Sequence, residues 1–411
     1  MNKKRVGFYA WAGPDTIKMQ NLKFFTPKID KKSLLSTYDY DYLNELKDKF
    51  GITDFWAMYS WGFSDQNEAD QHKFLIDRLD NFKKLDIKVH AYIQGTNIVM
   101  KDLKDVDWYC LDNKNKKINY YRGRYVVCLN NPNFIDYKIK LIEKMIKEDF
   151  DAIYMDNIQM GQIALPFEFN KLPFNFTGCN CNYCKKKFLK EYDAEIPLDF
   201  EKNLNLTQNY LDFRINSVTN FISKISNVVR ANNKEFGTNS FDPKFNIKYI
   251  FGTDLEKLIS LQDYFLFENH SLNFSGIDNG YINSISSQLI KPVFVVSYRK
   301  GIGYEPEYTQ KDINNIYSEV NNFNFNSCIK GSEYNTNGIW HNLRINNYVK
   351  PVLNNTYFRT NLVKGKKIPY LIKIKLIRKI LSNIYNPFFR LYMENFFVRS
   401  LLSRFNRLIL R

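Results

Sequence analysis

The chain has 411 residues, 44% of them apolar and 16% aromatic, enough for one large barrel with accessory segments or two ordinary domains, and too apolar for a disordered protein. Its formal net charge of +16 is uneven: residues 364–411 hold 12 Lys and Arg against the single acid Glu394, leaving about +5 for the first 363. Most of the basic surplus, and with it the signal for an anionic partner, therefore belongs to the tail, and no nucleic acid is expected as a partner.

The opening residues have the basic start of a secretory signal but no apolar stretch before Gly13-Pro14, so they read as a first strand and the chain as cytoplasmic. No run of about 18 apolar residues offers a transmembrane helix. Strand-like runs at 5–11, 52–61, 87–94 and 152–156 alternate with helical patterns at 39–50, 70–85 and 133–148, the order of a parallel α/β sheet. Within 70–85, Phe74, Leu75, Leu79 and Phe82 share one helical face, and within 133–148 so do Ile135, Ile139, Leu141, Ile142 and Ile146.

After the fourth strand comes an insertion, residues 157–234, far longer than a βα connection. It holds three of the six cysteines and a long helix over 204–231. Further strands at 235–240, 263–268, 292–298 and 326–331 complete a set of eight, which predicts a (β/α)8 TIM barrel over residues 1–360. A doubly wound sheet would need a glycine-rich phosphate turn after its first strand, and Trp11-Ala12-Gly13-Pro14-Asp15 does not supply one.

In a barrel, the C-terminal strand ends face the substrate. Asp156 ends strand four and Glu268 ends strand six, each after an apolar run and each before an Asn. Glycosidic cleavage needs two carboxyl groups flanking the scissile bond, so these form the candidate catalytic pair. Strand-end acids also cap helices or pair with Arg. Glu333, beyond strand eight, is a third acid, suited to binding sugar hydroxyls. Candidate substrate-binding residues are Tyr9 and Trp11 after strand one, Tyr59 and Trp61 after strand two, Tyr92 and Gln94 at strand three, and Asn157 and Asn239 after strands four and five. His270, Tyr298 and Arg299 complete the set. Aromatic faces and amides suit a neutral sugar, whereas Arg299 suits an acidic sugar or an ion pair with Asp156 or Glu268.

Cys179, Cys181 and Cys184 are spaced so that three thiolates can converge on one ion, and a structural zinc wants a fourth ligand. The alternative is a set of reduced, empty thiols. With Asp156-Asn157 at strand four and the segment from Cys179 to Phe188 behind it, the chain resembles uncharacterised glycoside-hydrolase-like TIM barrels over residues 5–340. The cysteine segment is similar to that of the family 42 β-galactosidases. That resemblance implies a fourth ligand upstream of the cluster, Cys128 first and Cys110 second, while Cys328 reads as core. Met155-Asp156-Asn157 resembles an element of the α-galactosidase clan, which implies an Asp nucleophile at strand four and an acid/base at strand six. Family 42 enzymes use Glu after strand four and at strand seven. Strand seven here ends Ser297-Tyr298-Arg299, so their mechanism does not carry over. No catalytic cofactor is expected.

From Pro369 the pattern changes again. Leu371, Ile374, Ile377, Leu381 and Ile384 share a face, and Pro387 starts a second segment with Phe388, Leu391, Phe396, Arg399, Arg404 and Arg407. Residues 361–411 read as a basic amphipathic helical tail for an anionic membrane surface, with docking on the barrel or on a second subunit as the alternative. The whole predicts a glycoside hydrolase or transglycosidase on the inner face of the membrane, acting on a lipid-linked or cell-surface polysaccharide intermediate. The competing reading is a non-catalytic carbohydrate-binding or scaffold protein of a glycan-assembly complex.

Overall fold

The computed structural model describes residues 5–10, 13–22, 35–121, 123–161, 178–198, 203–241, 251–269, 291–297, 325–330, 332–334 and 340–342. Trp11, His270, Tyr298, Arg299 and the tail 361–411 lie outside the described residues.

Eight parallel strands close into a barrel: β1 (Val6–Ala10), β2 (Asp54–Ser60), β3 (Lys88–Gln94), β7 (Ala152–Asp156), β8 (Glu235–Phe241), β9 (Tyr264–Asn269), β10 (Val293–Ser297) and β11 (Asn326–Lys330), with β11 pairing back to β1. Because helices cover the outside, such strands are apolar on both faces. β2 and β7 are buried from end to end. The predicted barrel is thus the fold, strand by strand.

The helices follow their local signals. Asn131 caps helix α5 (Pro132–Ile146), its side chain accepting from Asn133 N, with proline at the first position. Gly51, left-handed at φ 67, ends helix α2 (Tyr40–Phe50). The single helix expected over 70–85 is instead two, α3 (Asp65–Ile76) and α4 (Leu79–Lys84). Arg78 donates its guanidinium to the Phe74 carbonyl at 3.2 Å while its own amide bonds Leu75 O at 3.0 Å. The carbonyl that a continuous helix would give to the Arg78 amide is therefore taken by a side chain. Leu75, Leu79 and Phe82 are still buried.

Two additions sit at the C-terminal ends of barrel strands. After β3, a three-stranded antiparallel sheet forms in the order β4 (Asn97–Val99), β6 (Arg124–Val126), β5 (Asn119–Tyr121). After β11 comes a hairpin, β12 (Ser332–Tyr334) and β13 (Trp340–Asn342). The insertion after β7 contains helices α6 (Asn182–Tyr192) and α7 (Leu204–Arg230), and α7 packs against α5.

Inward side chains fill the barrel. Trp56 stacks on His90 with centroids 4.2 Å apart and meets Phe294 and Tyr264 edge-on at 4.9 and 5.9 Å. Gly7 makes room for that indole, since a Cβ there would collide with Trp56 and Cys328. Below lies an ionic floor. Asp54 accepts from Arg5 Nε at 3.0 Å and from His90 Nε2 at 2.7 Å, while Glu235 pairs with Arg5 at 3.1 Å and Lys88 at 2.6 Å. Burial opposes the charge on Asp54, but the hydrogen bonds from His90 and Arg5 outweigh it and hold the carboxyl well below the usual range.

Candidate active site at the barrel mouth

Strand β7 delivers Asp156 to the C-terminal face, where it pairs in register with Gln94 of β3. Its carboxylate, 5% exposed, is held from three directions. The Tyr92 hydroxyl donates to Oδ2, Asn157 Nδ2 donates to the same oxygen at 2.9 Å, and the Asn157 amide donates to Oδ1 at 2.7 Å. Three hydrogen bonds on two oxygens fix the rotamer of this side chain. Asn157 can turn back on its neighbour because it is left-handed, at φ 55, which asparagine tolerates better than most residues.

A polar relay extends from this carboxylate. Gln94 Nε2 donates to the Tyr92 hydroxyl at 2.8 Å, and Gln94 Oε1 accepts from Asn157 at 2.8 Å and Asn97 at 3.3 Å. Arg124 donates to Asn97 Oδ1, and the Tyr120 hydroxyl donates to Asn157 Oδ1. Asn97, Tyr120 and Arg124 all belong to the small sheet after β3, so that sheet forms a wall of the site. The Arg124 guanidinium lies 5.4 Å from the Trp61 ring and 5.6 Å from that of Tyr120.

Aromatic rings line the barrel beneath. Tyr92 meets Tyr9 at 5.9 Å, Tyr154 at 5.5 Å and Trp61 at 6.1 Å. The turn that presents Trp61 is held by Glu68, whose Oε1 accepts from the amides of Trp61 at 2.6 Å and Phe63 at 3.1 Å. Burial, with the nearby charge of Asp15, pushes the Glu68 carboxyl up to about 8. Lys138, wholly buried, donates to Gln94 O at 2.7 Å, and burial lowers its ammonium to about 8.

Tyr9, Trp61, Tyr92, Gln94, Asp156 and Asn157 therefore converge. Asn239 follows Gly237, whose Cβ would collide with the barrel-filling ring of Tyr264, so alternation turns Asn239 inward as well. Among the described residues its buried Nδ2 has no hydrogen-bond partner. Tyr59 is a correction: its ring stacks on His72 at 4.0 Å and meets Phe150 at 5.6 Å, on the helix side of the wall. Met58 is the residue in register with Tyr92, and period two sends its successor outward. Glu268 is described by its backbone: it is the penultimate residue of β9, in register with Phe241 and Val296. Glu333 lies in β12, paired with His341. Sequence reading missed Asn97, Tyr120 and Arg124. The run Tyr120-Tyr121-Arg122-Gly123-Arg124-Tyr125 was the available signal, an aromatic and cationic cluster in what looked like a connection.

The cysteine module lies beside this site. Sγ atoms of Cys128, Cys179, Cys181 and Cys184 all fall within 4.8 Å of one another, and all four residues are buried. Cys128 is 3.3 Å from both Cys181 and Cys184. A tetrahedral ion with Zn–S bonds of about 2.3 Å would hold its sulfurs roughly 3.8 Å apart, so the set fits such an ion with small adjustment. Burial raises the Cys179 thiol, but hydrogen bonds from Cys110, Cys128, Cys181 and Cys184 outweigh it and leave it well below a thiol's ordinary value. Cys110 stands next to the four, its Sγ donating to Val127 O at 3.1 Å. Cys328 is a core residue of β11, as expected. The module fastens the segment leading from the small sheet into α5 to the start of α6.

No family model and no curated protein sequence matches the chain. Among solved structures it is similar to α-L-fucosidase isoenzyme 2 from Paenibacillus thiaminolyticus, at 13% identity and TM-score 0.52 over 80% of this chain and 46% of that one. It is similar to the PgaB (BpsB) glycoside hydrolase domain from Bordetella bronchiseptica, at 9% identity and TM-score 0.52 over 82% and 94%. A GH42 β-galactosidase from G. stearothermophilus gives 12% identity and TM-score 0.55 over 80% and 51%. The chain thus spans about half the length of the fucosidase and the β-galactosidase and nearly all of the PgaB domain. At these identities the likeness is one of fold alone, the closed (β/α)8 TIM barrel that the chain has in common with these glycoside hydrolases.

Proposed function

We propose that the chain is a glycoside hydrolase or transglycosidase in which Asp156 is nucleophile or base and Glu268 is acid/base. The observation that supports it most is the Asp156 carboxylate, held by Tyr92 and Asn157 at the end of the fourth barrel strand among aromatic rings and amides. Glu268 is the penultimate residue of the strand two places along the barrel, roughly 10 Å away backbone to backbone at ordinary strand spacing. Period-two alternation gives position 268 the parity of Tyr264, which packs on the barrel-filling Trp56. Asn239, on β8 between the strands of Asp156 and Glu268, offers its unpartnered Nδ2 to a sugar oxygen.

The substrate in this reading is a polysaccharide intermediate that is lipid-linked or bound for the cell surface. The tail 361–411 holds the enzyme on the inner face of the membrane, and Cys128, Cys179, Cys181 and Cys184 hold a structural zinc that stiffens the walls of the site. Its role is architectural, since chemistry at Asp156 needs no cofactor.

The test is cleavage of aryl glycosides and then of lipid-linked oligosaccharides. Glu268→Gln is expected to lower turnover about 10²- to 10⁴-fold, and Asp156→Asn at least as much. Cleavage persisting in either variant removes that residue from the mechanism. Glycan binding without any turnover by the parent chain would favour the non-catalytic reading.

A further inference from the structure

The long helix α7 carries a cation that the reaction does not use. Arg214 is fully buried, and its Nε and a terminal nitrogen both donate to Met160 O, at 2.9 and 2.6 Å. Removing a guanidinium from water is costly unless its hydrogen bonds are placed to advantage. That carbonyl lies four residues beyond Asp156, where the chain has no regular backbone ladder and must find other partners. Asn157 O accepts from Thr96 Oγ1 at 2.6 Å, the Gln159 amide donates to Thr96 Oγ1 at 3.0 Å, and the Met160 amide donates to Phe251 O at 3.1 Å. Arg214 is the side chain that α7 contributes to this set.

One turn earlier on the same helix face stands Tyr210, whose hydroxyl accepts from the Cys179 amide at 2.5 Å. Gly178 lies directly on that ring, where a Cβ would collide with it. Three residues after Arg214, Ser217 Oγ accepts from Asn130 Nδ2 at 3.0 Å, and the same amide reaches Cys184 Sγ at 3.4 Å. Positions 210, 214 and 217 stand at i, i+4 and i+7, one stripe of α7. The outer two hold the cysteine module, and the middle one holds the segment that follows Asp156.

We propose that Arg214 is a positioning residue for Asp156, and that the stripe Tyr210–Arg214–Ser217 makes the order of residues 157–161 depend on the integrity of the cysteine cluster. Its catalytic consequence rests on the role given to Asp156, but its structural content does not. Loosening the cluster releases Tyr210 and Ser217, lets α7 shift, and frees the Met160 carbonyl.

The experiment is amide hydrogen exchange in the parent full-length chain, Arg214→Met, Cys184→Ser and the double variant, with the Gln159 and Met160 amides as reporters. Arg214→Met should speed exchange at both by about tenfold or more, with the amides of β2 and β3 unchanged. Cys184→Ser should speed the same two, and the double variant should add little to either alone. Arg214→Lys, which keeps the charge and one donor, should fall between; it carries the comparison if Arg214→Met does not fold. In turnover, Arg214→Met should lower kcat by about tenfold to a hundredfold with KM within about threefold. Exchange within about twofold of the parent in Arg214→Met, or effects that multiply in the double variant, would overturn the coupling. If Asp156→Asn retains cleavage, the catalytic reading has failed and the exchange result alone decides this one.

Discussion

Two donors meet on Asp156 Oδ2, and they are not equivalent. Asn157 Nδ2 comes from the next residue and follows any movement of the strand end, whereas the Tyr92 hydroxyl comes from the neighbouring strand and ties the carboxylate to the barrel. Tyr92→Phe keeps the ring that packs on Tyr9 and Tyr154 and removes only the hydroxyl. A hydrogen bond to a charged group contributes about 1.5–3 kcal/mol, so kcat is expected to fall roughly tenfold to a hundredfold with KM little changed. Unaltered steady-state constants would reduce Tyr92 to packing. At this scale Asp156 was legible, because an apolar run breaks off in a carboxylate and an amide. Tyr59 was misread because an aromatic at a strand end was counted without its parity. In β2 the register shifts between Met58 and Ser60, so parity could not be carried through that end from the sequence alone.

Elements that repeat were easier to read than elements that interrupt. The barrel strands announce themselves by β-branched and aromatic runs at intervals that helices fill, and each observed strand ends within one or two residues of its predicted run. The sheet after β3 gave no such sign. Its strands are three residues long, too short for any period to show, and its order β4-β6-β5 depends on contacts far apart in the chain. Half of the relay around Asp156, namely Asn97, Tyr120 and Arg124, comes from that sheet and was hidden with it. The ionic floor makes an element-level prediction. Asp54 joins β2 to Arg5 beside β1 and to His90 on β3, and breaking a buried pair from one side costs about 3–5 kcal/mol. Asp54→Asn should lose about that much in urea unfolding at neutral pH. The Asp54 carboxyl is held below an aspartate's ordinary value of about 3.8, so the unfolded chain takes up a proton first as pH falls. The contribution is thus present above pH 3.8 and lost below it. The parent's stability should drop more steeply than the variant's in that acid window, and parallel curves would contradict the assignment.

For the molecule as a whole, charge and fold divide the chain in two. The surplus of basic residues lies beyond residue 363, outside the barrel strands. Among the described residues no helix is long and apolar enough to cross a membrane; for the tail, the basic amphipathic pattern of its sequence predicts attachment at a surface. Full-length chain should sediment with vesicles rich in anionic lipid, lose most of that binding without residues 361–411, and release at high salt as surface electrostatics are screened. Equal sedimentation of both forms would remove the tail from any membrane role. The closed barrel also has a consequence in time. Arg5 stands just before the first barrel strand, yet its side chain needs Asp54 and then Glu235, and its backbone amide needs Asn326, 321 residues later. Until β11 leaves the ribosome, β1 has one free edge and the ionic floor stands incomplete at its open seam. A nascent chain stalled before that strand would carry an unpaired sheet edge into the crowded cell. Closure therefore needs the first and the eighth barrel strands together, and β1 is secured on both edges only when it occurs.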